Sequence, residues 1–394
     1  MTGSAEGTTR AYLDHASDTP LRPVAFAAME PYLRHRFGDP GRLHAEGLTT
    51  RVAIEEAREQ VAAFFGARPR EVVFTGGATE SVNTAVYGAV ARVPSDAKAP
   101  PHVVVSAVEQ LAVHESVARA TDSVTTVGVD RRGRIDPDAV ANAIRAETTL
   151  VSVQFANQEV GTVQPAGAIV AAAREAAETV GASPLVHIDA TAATGHLPVY
   201  FSALGADLVS VAAGPLGGPA AVGALLVRRG LRVPPFIVGG AQERARRAGL
   251  ENVPGIVGFG AAAAELTDEA RFTAETAAAR RRTDEIVATG GSVPDVLRYG
   301  DPTDRLPNLV CVGVAGVEAE PILLGLDQRG VAVHSGSACS SEVLEPSPVL
   351  AAMGADAEHS LRISVGWCST DADVEAFASA FPLVVNRLRD LRAG

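Results

Sequence analysis

Lysine is nearly missing from this sequence: Lys98 stands alone beside 33 arginines, so side-chain amine chemistry has one address in 394 residues. Cysteine is scarce as well. Cys311, Cys339 and Cys368 are too few and too scattered for a disulfide framework or a zinc site, and a reducing cytoplasm is the expected setting. Basic charge is in deficit, 34 Lys+Arg against 46 Asp+Glu. That balance excludes the electrostatic footprint of a nucleic-acid binder or of a protein docked on an anionic membrane. No run approaches the roughly 20 apolar residues of a membrane span. The start, MTGSAEGTTRAYLDHAS, has neither the basic n-region nor the apolar h-region of a signal peptide. Internal repeats and low-complexity tracts are absent apart from alanine enrichment.

What is present is an alternation of strand and helix patterns. EVVFT (71–75), HVVVS (102–106), LVSVQF (150–155), PLVHIDA (184–190), DLVSVA (207–212) and VGALLVRR (222–229) read as strands that are apolar throughout. Between them TTRVAIEEAREQVAAFFG (49–66), SVNTAVYGAVARV (81–93) and PAGAIVAAAREAAETVG (165–181) carry helical spacing. Such alternation predicts a mainly parallel sheet covered on both faces. One long alanine-rich helix is predicted from 252 to 285, bridging into a second domain. That domain has strands NLVCVGV (308–314) and LRISV (361–365), a helix at 320–330 and a last helix from about 371. The expected division is a large α/β domain at 14–255 and a smaller one built from 1–13 and 256–394. The chain is too long for a single core.

Several segments carry candidate chemistry. Gly76-Gly77-Ala78-Thr79 follows a strand and opens a helix, a turn whose free N–H groups suit a phosphate and which also serves as a plain tight turn. Asp189 ends a strand, where it can receive a ligand or cap the next turn. Arg362 in LRISVG has the planar fork that grips a carboxylate; a surface ion pair is the alternative. Cys339 lies in the Gly/Ser-rich stretch HSGSACSS, where an exposed, partly deprotonated thiol can attack; a retained small residue is the other reading. Cys311, inside an apolar strand, reads as core packing, and Cys368 as structural.

Taken in order, YLDHASDTP (12–20), EVVFTGGATESVN (71–83), NQEVGTVQP (157–165), HIDATAATGHLPV (187–199), GGPAAVGALLVRRG (217–230), GGAQERARRAGLENVPGIVG (239–258) and HSGSACSSEVLEPSPVL (334–350) resemble the housekeeping cysteine desulfurases. These are class V aminotransferase relatives with the pyridoxal-phosphate (PLP) fold type I. The resemblance covers nearly the whole chain. It implies a seven-stranded-type sheet domain with a smaller α/β C-terminal domain, a homodimer, PLP chemistry on cysteine, and a sulfur donor or acceptor protein as partner. It gives Gly77, Ala78, Thr79, Gln110 and Asp189 to the cofactor, Arg362 and Gln158 to the substrate side, and a persulfide to Cys339. No metal is implied.

The same resemblance marks losses. It places Ala212 at a phosphate-binding serine, Gly214 at a histidine, and Pro215 at the lysine that forms the Schiff base. Gln110 stands for the stacking histidine, Gln158 for an asparagine, Ala192 for a glutamine, and Leu250 for a threonine lent to the neighbouring subunit. Lys98 precedes strand 102–106, whereas ligands bind at the carboxyl ends of such strands, about 17 Å away. Side-chain hydrogen bonds to a charged phosphate are worth about 1.5–3 kcal/mol each, so losing three weakens PLP binding by more than about a thousandfold. A covalently bound cofactor is therefore not expected. Three functions stay open: a sulfur carrier or scaffold acting through Cys339, an enzyme using PLP, pyridoxamine phosphate or another small anion without a covalent anchor, and an inactive partner of an active paralogue.

Overall fold

The computed structural model describes residues 10–335 and 347–393. Seven strands form the main sheet in the spatial order Val72–Thr75, Gly223–Val227, Leu208–Ala212, Leu185–Asp189, Thr148–Gln154, His102–Ser106, Val124–Val127. Every neighbouring pair is parallel except the two made by Gly223–Val227, which runs against both partners. The six apolar runs predicted as strands are these strands, within a residue or two at their ends. Most are buried on both faces, which is why their sequence reads as a continuous apolar run rather than an alternation. Val124–Val127 was not predicted. It is one of the two edge strands, largely exposed, and VTTV lacks the apolar run of the others.

Helices cover both faces. Ala45–Phe64, Ala166–Val180 and Val253–Leu266 lie on one side, where Ile54, Phe65, Phe74, Ile169, Ile188 and Phe259 belong to one continuous core. Ala78–Val90 and Leu111–Ala120 lie on the other, with Val82, Val86 and Val113 packed on Val103, Val105 and Leu225.

The helix expected from 252 to 285 is two helices, Val253–Leu266 and Glu269–Gly291. The break sits at Asp268, whose side chain accepts from the backbone N–H groups of Ala270 and Arg271 and so starts a new helix. The first helix packs into the large core; the second carries Ala279 and Ile286 into a separate one. That second core gathers Leu13, Val310, Ile322, Ile363, Phe377 and Phe381 around an antiparallel sheet in the order His334–Ser335, Ser360–Ser364, Leu309–Val314, Val296–Tyr299. The N-terminal strand Ala11–Tyr12 joins the same region by pairing with Val331–Ala332. Among the described residues no helix is long and apolar enough to cross a membrane.

Candidate active site

Register brings the carboxyl ends of the parallel strands together. Gln154 lies opposite Asp189, and Thr75 and Ala212 flank Gly223 from either side. Gly223 must be glycine here: a Cβ would sit 2.7 Å from Val211 O and 2.9 Å from Gly77 C. This close approach sets the Gly76-Gly77 turn against the sheet. Gly77 has φ 128, and nothing lies within 4 Å of where its side chain would be. Ala78 and Thr79 open the helix. Glu80 holds the turn from inside, accepting from Gly76 N (2.8 Å), and Arg247 holds Glu80 in turn (2.9 Å).

Asp189 is 2% exposed. Its Oδ1 accepts from Thr191 N (3.0 Å) and Thr191 Oγ1 (2.6 Å), so it does cap the following turn. Oδ2 is buried and has no partner among the described residues. Burial raises the carboxyl pKa, and the two Thr191 bonds oppose the rise. Glu109, two strands away, was missed by the motif reading. One of its oxygens accepts from Ser106 Oγ and from Gln154 N (2.9 Å); the other, Oε2, has no partner among the described residues. Burial pushes its pKa up to about 8, against those hydrogen bonds and with the nearby Asp189 charge adding to the rise.

A raised folded-state pKa means that the folded protein keeps a proton which the unfolded chain has released. Stability should therefore fall as pH rises from the ordinary glutamate range toward about 8, and level off above it. Glu109→Gln, which cannot ionise, should match the parent near pH 5 and exceed it by a margin that grows up to pH 8. Urea unfolding at a series of pH values reads that margin; parallel curves for the two proteins would show that Glu109 is already ionised in the fold.

Beyond the strand ends lies a cavity of about 410 Å³. Gln110, Gln158, Thr191, His15, Asp18, His196, Pro215, Asn308 and Arg362 are among its walls. The structure thus brings Gln110, Gln158 and Arg362 together on one cavity. Asp189 and the Gly77–Thr79 turn are not among the residues that line it. Arg362 departs from the surface-ion-pair reading of its sequence. It is 3% exposed rather than at the surface. Its Nη2 donates to Asp14 Oδ1 (2.9 Å) and Ser17 Oγ (2.5 Å), its Nη1 to Gln158 O (3.4 Å), and its Nε has no partner among the described residues.

Asn308 carried no motif signal, and His15 and His196 passed unremarked inside YLDHASDTP and HIDATAATGHLPV. Asn308 Nδ2 donates to His196 Nε2 at 3.1 Å. His15 bonds Thr19 Oγ1 (2.7 Å) and Ser369 Oγ (3.0 Å). Burial lowers the pKa of both rings, that of His196 to about 4 with help from Arg22 and His15, so both are neutral near pH 7.

Pro215 sits in the short turn Gly214–Leu216 that follows strand Leu208–Ala212. Arg22, also unsignalled, braces that turn from behind. Its Nε donates to Leu216 O (2.7 Å), and its guanidinium meets Glu265 (2.9 Å) and Glu275 (2.5 Å) and stacks on Trp367 at 5.3 Å. Gly217 has φ 78, and a Cβ there would be 2.6 Å from Arg22 Cγ.

Lys98 is exposed, four residues before strand His102–Ser106, and so belongs to the amino edge of the sheet. Cys311 is buried and its thiol pKa is pushed up by that burial. Cys368 is exposed, which corrects its reading as a structural residue. Cys339 lies outside the described residues.

The family model described as Aminotransferase class-V matches residues 11–377, and the chain belongs to this family. Within it the chain is similar to cysteine desulfurases. Cysteine desulfurase IscS 1 of Archaeoglobus fulgidus is 38% identical over 386 residues, covering 96% of this chain and 98% of that protein. Cysteine desulfurase IscS of Dictyoglomus turgidum is 39% identical over 390 residues, covering 96% and 95%. Among solved structures, a NifS-like protein aligns with TM-score 0.87 at 28% identity over 96% of this chain and 100% of its own. SspA in complex with cysteine aligns with TM-score 0.78 at 28% identity over 91% and 100%.

Proposed function

We propose that this chain is a cysteine-desulfurase-like protein that does not carry out lysine-dependent desulfuration and serves sulfur metabolism as a carrier or scaffold through Cys339. The observation that carries the reading is the placement of the single lysine. PLP is the group the fold family implies, and it supplies an electron sink when its aldehyde is held as an imine. Asp189 Oδ2, buried and unpaired, suits the N–H of a protonated pyridine ring. The aldehyde end has no counterpart. Lys98 is at the opposite edge of the sheet, about 17 Å away at 3.3 Å per strand residue, and Pro215, at the position the resemblance gives to the lysine, has no amine. A lysine-held PLP does not fit these residues.

Desulfuration asks a lysine to hold the aldehyde and to move protons, and neither Pro215 nor Gln110 does so. PLP added to the purified protein should keep the spectrum of the free aldehyde. Borohydride followed by digestion should leave no pyridoxyl-lysine peptide, and cysteine with a reductant should release no sulfide above a blank. Pro215→Lys alone should not restore activity, because Ala212, Gly214 and Leu250 also depart from the family pattern. A stoichiometric imine band in the protein as purified would overturn the reading.

A further inference from the structure

We infer that a cleft at the amino edge of the main sheet, walled by Arg92, Arg174 and Arg228, binds the phosphoryl group of a small organic phosphate whose apolar body lies in an adjoining hollow. The cleft shares no wall with the cavity at the carboxyl ends of the strands, and the inference does not depend on the reading above.

Its position follows from the sheet. Pro184 and Asp207 immediately precede the parallel strands Leu185–Asp189 and Leu208–Ala212, and Arg228 follows the antiparallel Gly223–Val227. All three border the cleft, which measures about 310 Å³ and lies at the edge opposite Asp189. Asp207, fully buried, organises it. Its Oδ1 accepts from Arg228 Nε (2.6 Å), and its Oδ2 accepts from Arg174 Nη2 (2.8 Å) and Val186 N (2.8 Å). Two guanidiniums on the two oxygens of one carboxylate are held side by side. Arg174 Nη2 also donates to Gly205 O (3.2 Å), which fixes that side chain further.

This arrangement leaves donors open. Both Nη groups of Arg228, and the Nε and Nη1 of Arg174, have no partner among the described residues. The Arg92 guanidinium makes no hydrogen bond or ion pair among them either. One carboxylate balances one guanidinium, so the second on Asp207 is in surplus. Counted over the charged walls, three arginines face Asp207 and Glu178, a positive excess in a chain of net charge -12. Planar guanidinium forks suit phosphate oxygens. Because Asp207 already holds two of them, little side-chain freedom remains to be lost when an anion binds. A carboxylate offers two oxygens to these donors, whereas a phosphoryl group offers three and a larger charge.

The rest of the ligand is indicated by what adjoins the cleft. Arg92 and Ser183 also border a second hollow of about 400 Å³, whose walls include Ala89, Val93, Pro94, Pro100, Pro101 and Ala146. Glu147 is its only charged wall besides Arg92, so an apolar group is favoured there and an anion is not. Small-molecule sites commonly join an apolar surface to a few charged anchors in this way.

Four probes separate the parts of the inference: phenyl phosphate (head and body), inorganic phosphate (head alone), phenol (body alone) and benzoate (a carboxylate head on the same body). Calorimetric titration of the full chain should give saturable binding of phenyl phosphate. Inorganic phosphate and benzoate should each bind about tenfold more weakly, and phenol should show no saturable heat. Added salt should weaken phenyl phosphate on the parent protein, since these guanidiniums are partly exposed. Arg92→Gln removes no contact of the fold and should weaken phenyl phosphate by about tenfold; Arg228→Gln should do the same. Phenyl phosphate binding that both variants leave unchanged would place the anion elsewhere, the Gly76–Thr79 turn included, and overturn the inference. So would benzoate or inorganic phosphate binding as tightly as phenyl phosphate, or no saturable binding of any probe. If Arg228→Gln fails to fold, Arg92→Gln and the probe series decide.

Discussion

Glu243→Ala is expected to cost about 3–5 kcal/mol of folding stability, the usual consequence of leaving a buried charge without its partner. Glu243 and Arg58 have side chains 2% and 3% exposed. The carboxylate accepts from Arg58 Nη1 (2.8 Å) and Nη2 (2.6 Å) and from Phe74 N (2.9 Å), tying the segment after 239 to a strand of the main sheet. The backbone at this point works against itself. Glu243, Arg244 and Ala245 have φ of 46, 59 and 61, three consecutive residues in the left-handed region that side chains disfavour by about 1–2 kcal/mol each. The ion pair is what holds them there. Urea unfolding should therefore show a large drop for Glu243→Ala, and no drop for Ala245→Gly, which relieves strain at an unchanged contact set. A loss below about 1 kcal/mol for Glu243→Ala would mean that the pair is solvated and the turn is held by something else.

The second large effect belongs to Arg22. Arg22→Met keeps length and apolar bulk but removes the donor to Leu216 O and the shared partner of Glu265 and Glu275. Glu275, 26% exposed, is then left without this cation, and Glu265, 23% exposed, keeps only Arg271. About 3 kcal/mol of stability should go with the pair. The variant also has its own reporter: Trp367 is the chain's one tryptophan and stacks on this guanidinium, so its emission should shift even where the fold survives. Unchanged emission with unchanged stability would show that the Pro215 turn does not depend on Arg22.

The fold was largely readable because its strands are buried on both faces. HVVVS, LVSVQ and LVSVA announce themselves without any alignment, whereas the exposed VTTV edge has no such signature. The 252–285 segment misled because alanine spacing runs through the junction that Asp268 caps. Local features were legible where one segment carries them whole, as with the Gly76–Thr79 turn that opens a helix or Asp189 at the end of its strand. Asp14 with Arg362, separated by 348 positions, and His196 with Asn308, separated by 112, are joined only by the fold. No periodicity records such pairings. Burial of Arg362 and exposure of Cys368 likewise depend on what packs over neighbouring loops.

A lone lysine on the far edge of the sheet gives this protein an unusual handle. Amine-selective acylation has two targets, Lys98 and the chain's α-amino group, and Lys98 is exposed, well away from Asp189 and Pro215. A dye or a surface tether attached there leaves every wall of the cavity chemically untouched. The molecule can thus be immobilised with its cavity facing away from the support, a geometry that lysine-rich proteins reach only after their amines have been engineered away.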